Sequence, residues 1–314
     1  MTTNTHSGVG HTSNPRDLLS RIGRTLRRII YGVIRAPLTT LGTLIFVMFL
    51  IFALFSDQIA PYKYDDDQIS RRGDLQRLQE PECPLTFIFE SDCKNPFGTD
   101  LAGSDVFSRI IHGSSEVFRL AGFGTLVAVI LGSILGMLIG YYGGLLDEVV
   151  GRLLDSLMSI PVLLLALVLI GALGESSNNI LIVLIIVYSP IVARVVRSNV
   201  LEIRTRGFVE AAKLRGEWPG YILFREILPS VIPALVVEAS LRFSYAIFLV
   251  ASLGFLGLGA DPPTPNWGLM VSEYRDDFGL APWALNYSAG SISLLVISVN
   301  LMSDGIKRIV QRSS

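Results

Sequence analysis

Glu238 and Arg242 stand four residues apart inside the otherwise apolar stretch 229–258. Unpaired at the centre of a bilayer, each would cost about 2.5–3.5 kcal/mol on insertion scales. At a spacing of i,i+4 they share a helix face, where pairing lowers that cost. Two readings stay open. The pair is either a structural ion pair or part of a polar strip on a path through the membrane, because intramembrane charges face protein or water. Cys83 and Cys93 offer the other chemistry of note. If their loop faces an oxidising space, thiols there tend to pair, and closing a loop of this size is worth about 2–3 kcal/mol. A disulfide is expected, with the apolar Leu85-Thr86-Phe87-Ile88-Phe89 between its ends as a small hairpin or a strand against a partner.

Several chemistries are excluded by the same inventory. Only His6, His11 and His112 are histidines, and no CxxC or HExxH occurs, so sequence-adjacent metal ligands are missing. No GxxxxGK[ST] loop is present, so the chain has no means of cradling a nucleotide and is expected to be no ATPase and no other enzyme.

The elements that carry these residues are long apolar runs. Half of the 314 residues are hydrophobic, 17% are charged, and the mean hydropathy is +0.52. With 26 basic against 27 acidic residues, nothing suggests a nucleic-acid partner. The charges are concentrated between runs at Leu38–Phe55, 117–140, 153–173, 179–197, 229–258 and 286–303. Each approaches the ~20 residues needed to cross a bilayer, which predicts an all-α integral membrane protein with six transmembrane helices. Residues 1–37 read as a basic tail, 38–56 as the first span, 57–115 as an extracytoplasmic loop, 116–306 as the transmembrane core with an inner loop at 198–228, and 307–314 as the end. Lys and Arg set the orientation. The tail carries Arg16, Arg21, Arg24, Arg27, Arg28 and Arg35, the 198–228 loop Arg204, Arg206, Lys213, Arg215 and Arg225, and the C-terminus Lys307, Arg308 and Arg312. Six spans put all three in the cytoplasm, with the Asp65-Asp66-Asp67 run and the 261–285 loop outside. In the second run, Gly132, Gly136 and Gly140 recur every four residues and form one groove for a neighbouring helix.

The inner loop has its own design. Phe208-Val209-Glu210-Ala211-Ala212-Lys213-Leu214-Arg215-Gly216 reads as a helix ended by a glycine, followed by a second segment closing on Ile227-Leu228-Pro229. Ala211 and Ala212 leave one face without bulk, open to another protein. Gly216 can take the left-handed conformation that ends a helix, and Glu210 is spaced to pair with Arg206 or Lys213.

These residues resemble the permeases of ABC importers, in which an E-A-A-x-x-x-G loop leading to Leu-Pro forms a coupling helix for the ATPase subunit. Glu210, Ala211, Ala212, Gly216, Leu228 and Pro229 match that pattern, and Glu226 departs from it, where a hydrophobic residue is common. Asn95-Pro96-Phe97-Gly98-Thr99-Asp100 with Gly103, Asp105, Ser108-Arg109 and Gly113 is similar to the dipeptide/oligopeptide/nickel branch. So are Gly140-Tyr141-Tyr142-Gly143-Gly144 with Asp147, Phe255-Leu256-Gly257-Leu258-Gly259, and Asn266-Trp267-Gly268. Ser288-Ala289-Gly290 and Val250 are departures.

The resemblance implies a type I importer transmembrane subunit, the second of two permeases, translocating di- or oligopeptides or similar small solutes. It implies as partners a homologous second permease, two ATPase subunits that bind the ATP and Mg, and an extracytoplasmic solute-binding protein, all around the membrane lipid. No cofactor is implied in this chain. A secondary transporter would need internal repeats and broken midplane helices and would leave the 208–216 loop without a role.

Overall fold

The computed structural model describes residues 36–62, 78–81, 95–259 and 264–311. The basic tail, the Asp65-Asp66-Asp67 run, both cysteines and the apolar stretch between them lie outside these residues, as do Pro262 and Pro263. Among the described residues the chain is helical, with strand pairing confined to a Thr99–Asp105 bridge. Five helices among the described residues are long and apolar enough to cross a membrane, and a bent pair makes a sixth span if its halves count as one.

Helix α1 (Pro37–Leu54) buries only Thr39, Gly42 and Phe49 and leaves its leucines to the surroundings, as a helix in lipid can. Helix α2 (Val106–Val117) runs through a π-helical turn at Phe118–Phe123 into α3 (Gly124–Tyr142), making one rod of 37 residues. The helix thus starts at Val106 rather than at 117. Asp105 caps it, its Oδ2 accepting from the Ser108 amide at 2.8 Å. Arg109, His112 and Glu116 interrupt the apolar pattern of this first part, yet His112 and Glu116 are buried in it and Arg109 nearly so.

The run expected at 153–173 is broken. Helices α4 (Gly144–Met158) and α5 (Val162–Leu173) meet at 92°. The break falls at Ser159-Ile160-Pro161, where proline supplies no amide hydrogen and its own backbone is extended, φ −53° and ψ 132°. Charge explains why α4 does not continue the apolar line. Asp147 and Asp155 on α4 pair with Arg197 and Arg194 on α6 (Ser177–Ile203), with Arg197 Nη2 donating to Asp147 Oδ2 at 2.7 Å.

The short helix α7 (Gly207–Leu214) follows, and then α8 (Leu228–Phe255), entered through a second π-helical turn at Ile222–Ile227. A further helix, α9 (Trp267–Asp276), crosses the end of the bundle before α10 (Pro282–Gln311) returns. Small residues set the closest approaches. A Cβ on Gly132 or Gly136 would fall 2.6 Å from the Ser189 carbonyl oxygen or 2.5 Å from that of Ala193, so α3 and α6 meet backbone to backbone. Gly42 of α1 likewise lies against Leu301 of α10, and Gly305 against Thr39.

Candidate functional site

Three groups of chemistry-bearing residues are held at three levels of the bundle. The first is α7 at the end that carries the basic loops. Its C-terminus is a Schellman turn: the Gly216 amide donates to Lys213 at 3.0 Å and the Glu217 amide to Ala212 at 3.2 Å. Gly216 has φ +77°, and no atom lies within 4 Å of where its Cβ would stand, so the turn requires glycine for its backbone and not for space.

The two alanines do not share one open face. Val209 and Ala212 are fully buried, packed into an apolar cluster with Val129 and Met137 of α3, Val196 and Val200 of α6, and Ile227 and Val231 at the base of α8. That spacing of three fixes the inner face of the helix, and Ala211 turns outward. The outward face carries Phe208, Glu210, Ala211 and Leu214, the last 89% exposed, with Trp218 beside it at 67%. Nor does Glu210 pair as its spacing suggested. Arg206 bonds Glu202 at 2.7 Å, and the Lys213 ammonium sits 5.5 Å from the centre of the Tyr141 ring. Among the described residues Glu210 has no ion pair. Glu226, the departure from the hydrophobic pattern, faces Arg215 at 3.7 Å, and Arg215 also reaches Glu217 at 3.5 Å. This link ties the glycine turn to the segment leading to Leu228 and Pro229, which lie at the partly exposed base of α8.

The second group is at mid-span. Arg242 Nε lies 2.8 Å from Glu238 Oε1, with both side chains largely enclosed. The guanidinium also stands 5.1 Å from the centre of the Tyr245 ring. Ser244, on another side of α8, donates to Asn300 Oδ1 of α10 at 3.1 Å.

The third group closes the opposite end. Arg109 Nη1 donates to Asp100 Oδ2 at 2.9 Å and to the Tyr274 hydroxyl at 2.8 Å, and Nη2 donates to Glu273 at 3.0 Å. The Tyr274 hydroxyl in turn donates to Asp100 Oδ2 at 3.1 Å, and burial pushes this phenol above its usual range. Burial also raises the Asp105 carboxyl to about 6, against the lowering effect of its bond from Ser108, and among the described residues its Oδ1 has no hydrogen-bond partner. Trp283 Nε1 donates to the Thr99 carbonyl and Trp267 Nε1 to that of Ile110. Phe97 stacks on Tyr287 at 4.0 Å. The Asn95–Asp100 segment is therefore a plug against α9 and α10. Asn266 caps α9 through the Gly268 amide, and Gly268 lets that helix lie on the Ala251 backbone.

Cys83 and Cys93 fall outside the described residues. Sequence reasoning missed Trp218, whose signal was a large aromatic residue just past the glycine of a basic loop, and the Tyr188 and Tyr245 walls around Arg242.

Comparison with known proteins supplies a family. Residues 128–314 match the model described as the binding-protein-dependent transport system inner membrane component. The dipeptide transport system permease protein DppC of Alkalihalophilus pseudofirmus is 36% identical over 270 residues, covering 86% of this chain and 84% of that protein. The di/tripeptide transport system permease protein DppC of Pseudomonas aeruginosa is 34% identical over 268 residues, covering 85% and 86%. The glutathione transport system permease protein GsiD of Escherichia coli is 34% identical over 277 residues, covering 87% and 86%. In fold the chain is similar to an inward-facing conformation of the MetNI methionine ABC transporter, with a TM-score of 0.54 at 22% identity, over 66% of this chain and 96% of that one.

Proposed function

The chain belongs to the binding-protein-dependent transport system inner membrane components, the multi-pass permeases of ABC importers, and from that premise we propose that it forms the channel for short peptides or similar small solutes. Relatives named for dipeptides, di/tripeptides and glutathione support the solute class. The homologous second permease would complete the channel. Two ATPase subunits would bind the ATP and Mg, and a solute-binding protein would deliver the solute from outside. The basic loops and both termini would lie in the cytoplasm, as their Lys and Arg content favours.

One observation carries the coupling part of this reading. Helix α7 is anchored by Val209 and Ala212 on residues of α3, α6 and α8, while among the described residues Phe208 and Leu214 on its other side, and Trp218 just past it, are left 40%, 89% and 67% exposed. Exposed apolar residues at the end of a charged loop suit a protein partner. A push on that face is transmitted through the buried cluster to three long helices at once, so closure of the ATPases would rock the spans and open the path to alternate sides.

The test is reconstitution of both permeases with the ATPases in proteoliposomes and measurement of labelled dialanine uptake. Uptake should require ATP and loaded binding protein. Uptake by the permeases alone, driven by an ion gradient, would favour a secondary transporter and contradict this reading.

A further inference from the structure

Arg242 stands near the middle of α8, which is unbroken from Leu228 to Phe255. At about 1.5 Å per residue it is roughly 20 Å from either end of the helix. Beside it opens a cavity of about 440 Å³, walled by Leu163, Tyr188, Tyr245, Phe248 and Ser252 together with Arg242 itself.

The guanidinium is only partly used within the chain. Its Nε is enclosed against Glu238 Oε1, and the contact lacks the alignment of a hydrogen bond. Among the described residues no hydrogen bond engages the two Nη groups. Two parallel donors in a fixed fork match a carboxylate, which is what makes arginine a selective partner for that group. The opening also holds the start of α5, whose N-terminus at Pro161 has no side-chain cap. A helix end alone would assign nothing, but here its partial positive charge adds to that of Arg242 at the same cavity.

We propose that this cavity is a station on the translocation path where the carboxylate of the transported peptide rests on the Arg242 fork. This rests on the importer reading above. The tyrosine and phenylalanine walls would take the peptide's side chains without strong selectivity. The volume falls in the range of about 300–1,000 Å³ typical of small-molecule sites. Glu238 has a defined part in this arrangement: it holds the guanidinium in place and cancels some of its charge. The solute is thereby attracted without being trapped, as passage through a path requires.

The experiment uses the complete transporter in proteoliposomes and two variants of this chain. Glu238→Gln with Arg242→Gln removes the fork and leaves no charge unpaired. Ser252→Trp fills the cavity without touching the ion pair. Subunit recovery, ATP hydrolysis stimulated by dialanine-loaded binding protein, and dialanine uptake are measured on each. Both variants should assemble and hydrolyse ATP as the wild type does, while uptake per ATP falls about tenfold, the worth of one charge-assisted hydrogen bond. Unchanged uptake per ATP in either assembled variant overturns the proposal. Loss of the second permease from the double variant also overturns it, by assigning the cavity to subunit assembly. A wild-type complex without ATP-dependent uptake would instead remove the importer reading, and this site with it.

Discussion

Gly136 of α3 meets the Ala193 backbone of α6 with no room for a side chain: a Cβ on the glycine would stand 2.5 Å from the Ala193 carbonyl oxygen and 2.8 Å from Val196 Cβ. The obstructing atom is backbone, which cannot rotate away. Gly136→Ala should therefore lower the thermal stability of the purified protein by an overpacking cost of about 1–3 kcal/mol. Gly151→Ala, in a helix with nothing within 4 Å, should cost nothing and serves as the control. Equal melting of the two variants would show that the α3–α6 contact is looser than described.

That contact was legible from sequence, because glycines at every fourth position on one face have few other uses in a span. The charge-bearing loops and the apolar runs were equally legible. The bend at Pro161 was not, since a proline inside an apolar run is compatible with a continuous packed helix, and only the pairing of Asp147 and Asp155 with α6 decides the direction of α4. The start of α2 was hidden for a related reason. Arg109, His112 and Glu116 interrupt the apolar pattern there, yet each also meets a distant segment, at Tyr274, Tyr62 and Ser177 respectively. In the 208–216 loop the motif letters located the helix, but the phase of Val209 and Ala212 was needed to tell its buried alanine from its exposed one.

Asp105 gives a pH prediction. Its carboxyl titrates near 6 in the folded protein against about 3.8 in an exposed chain, because burial disfavours the charge. Between those values the unfolded chain holds fewer protons than the folded one, so stability falls as pH rises. The loss is complete above about pH 6 and amounts to at most roughly 3 kcal/mol. Asp105→Asn keeps an oxygen for the Ser108 amide and cannot ionise. The melting-temperature gap between pH 5 and pH 7.5 should therefore narrow in the variant. An unchanged gap would mean that another group governs the pH response.

Arg109 joins Asp100, Glu273 and Tyr274 and is the central donor of the closed end. Arg109→Met should cost about 3–5 kcal/mol, because it strands the Asp100 carboxylate, whose side chain is 3% exposed. Tyr274→Phe removes one hydroxyl and should cost only about 1 kcal/mol. Chemical denaturation in detergent ranks the two, and a reversed order would contradict the assignment of Arg109 as the hub.

Glu238 and Arg242 call for a double-mutant cycle read by folded abundance and melting. Glu238→Ala leaves a cation enclosed in the span and should destabilise by about 3 kcal/mol or more. Glu238→Leu together with Arg242→Leu should recover most of that loss. Single variants that are harmless and strictly additive would show that the 2.8 Å contact contributes nothing to folding.

The most direct test of the coupling claim is Leu214→Asp, made in the complete transporter and read three ways. Leu214 is 89% exposed among the described residues, so the substitution spares the fold and alters only the outward face of α7. Membrane abundance, ATPase co-purification and dialanine uptake are measured on the same preparation. Expected are wild-type abundance, loss of most of the ATPase, and uptake below about a tenth of wild type, as removing an interface anchor worth about 2 kcal/mol implies. Normal ATPase recovery with normal uptake, at normal abundance, would contradict the assignment of this helix as the site through which ATP hydrolysis moves the channel.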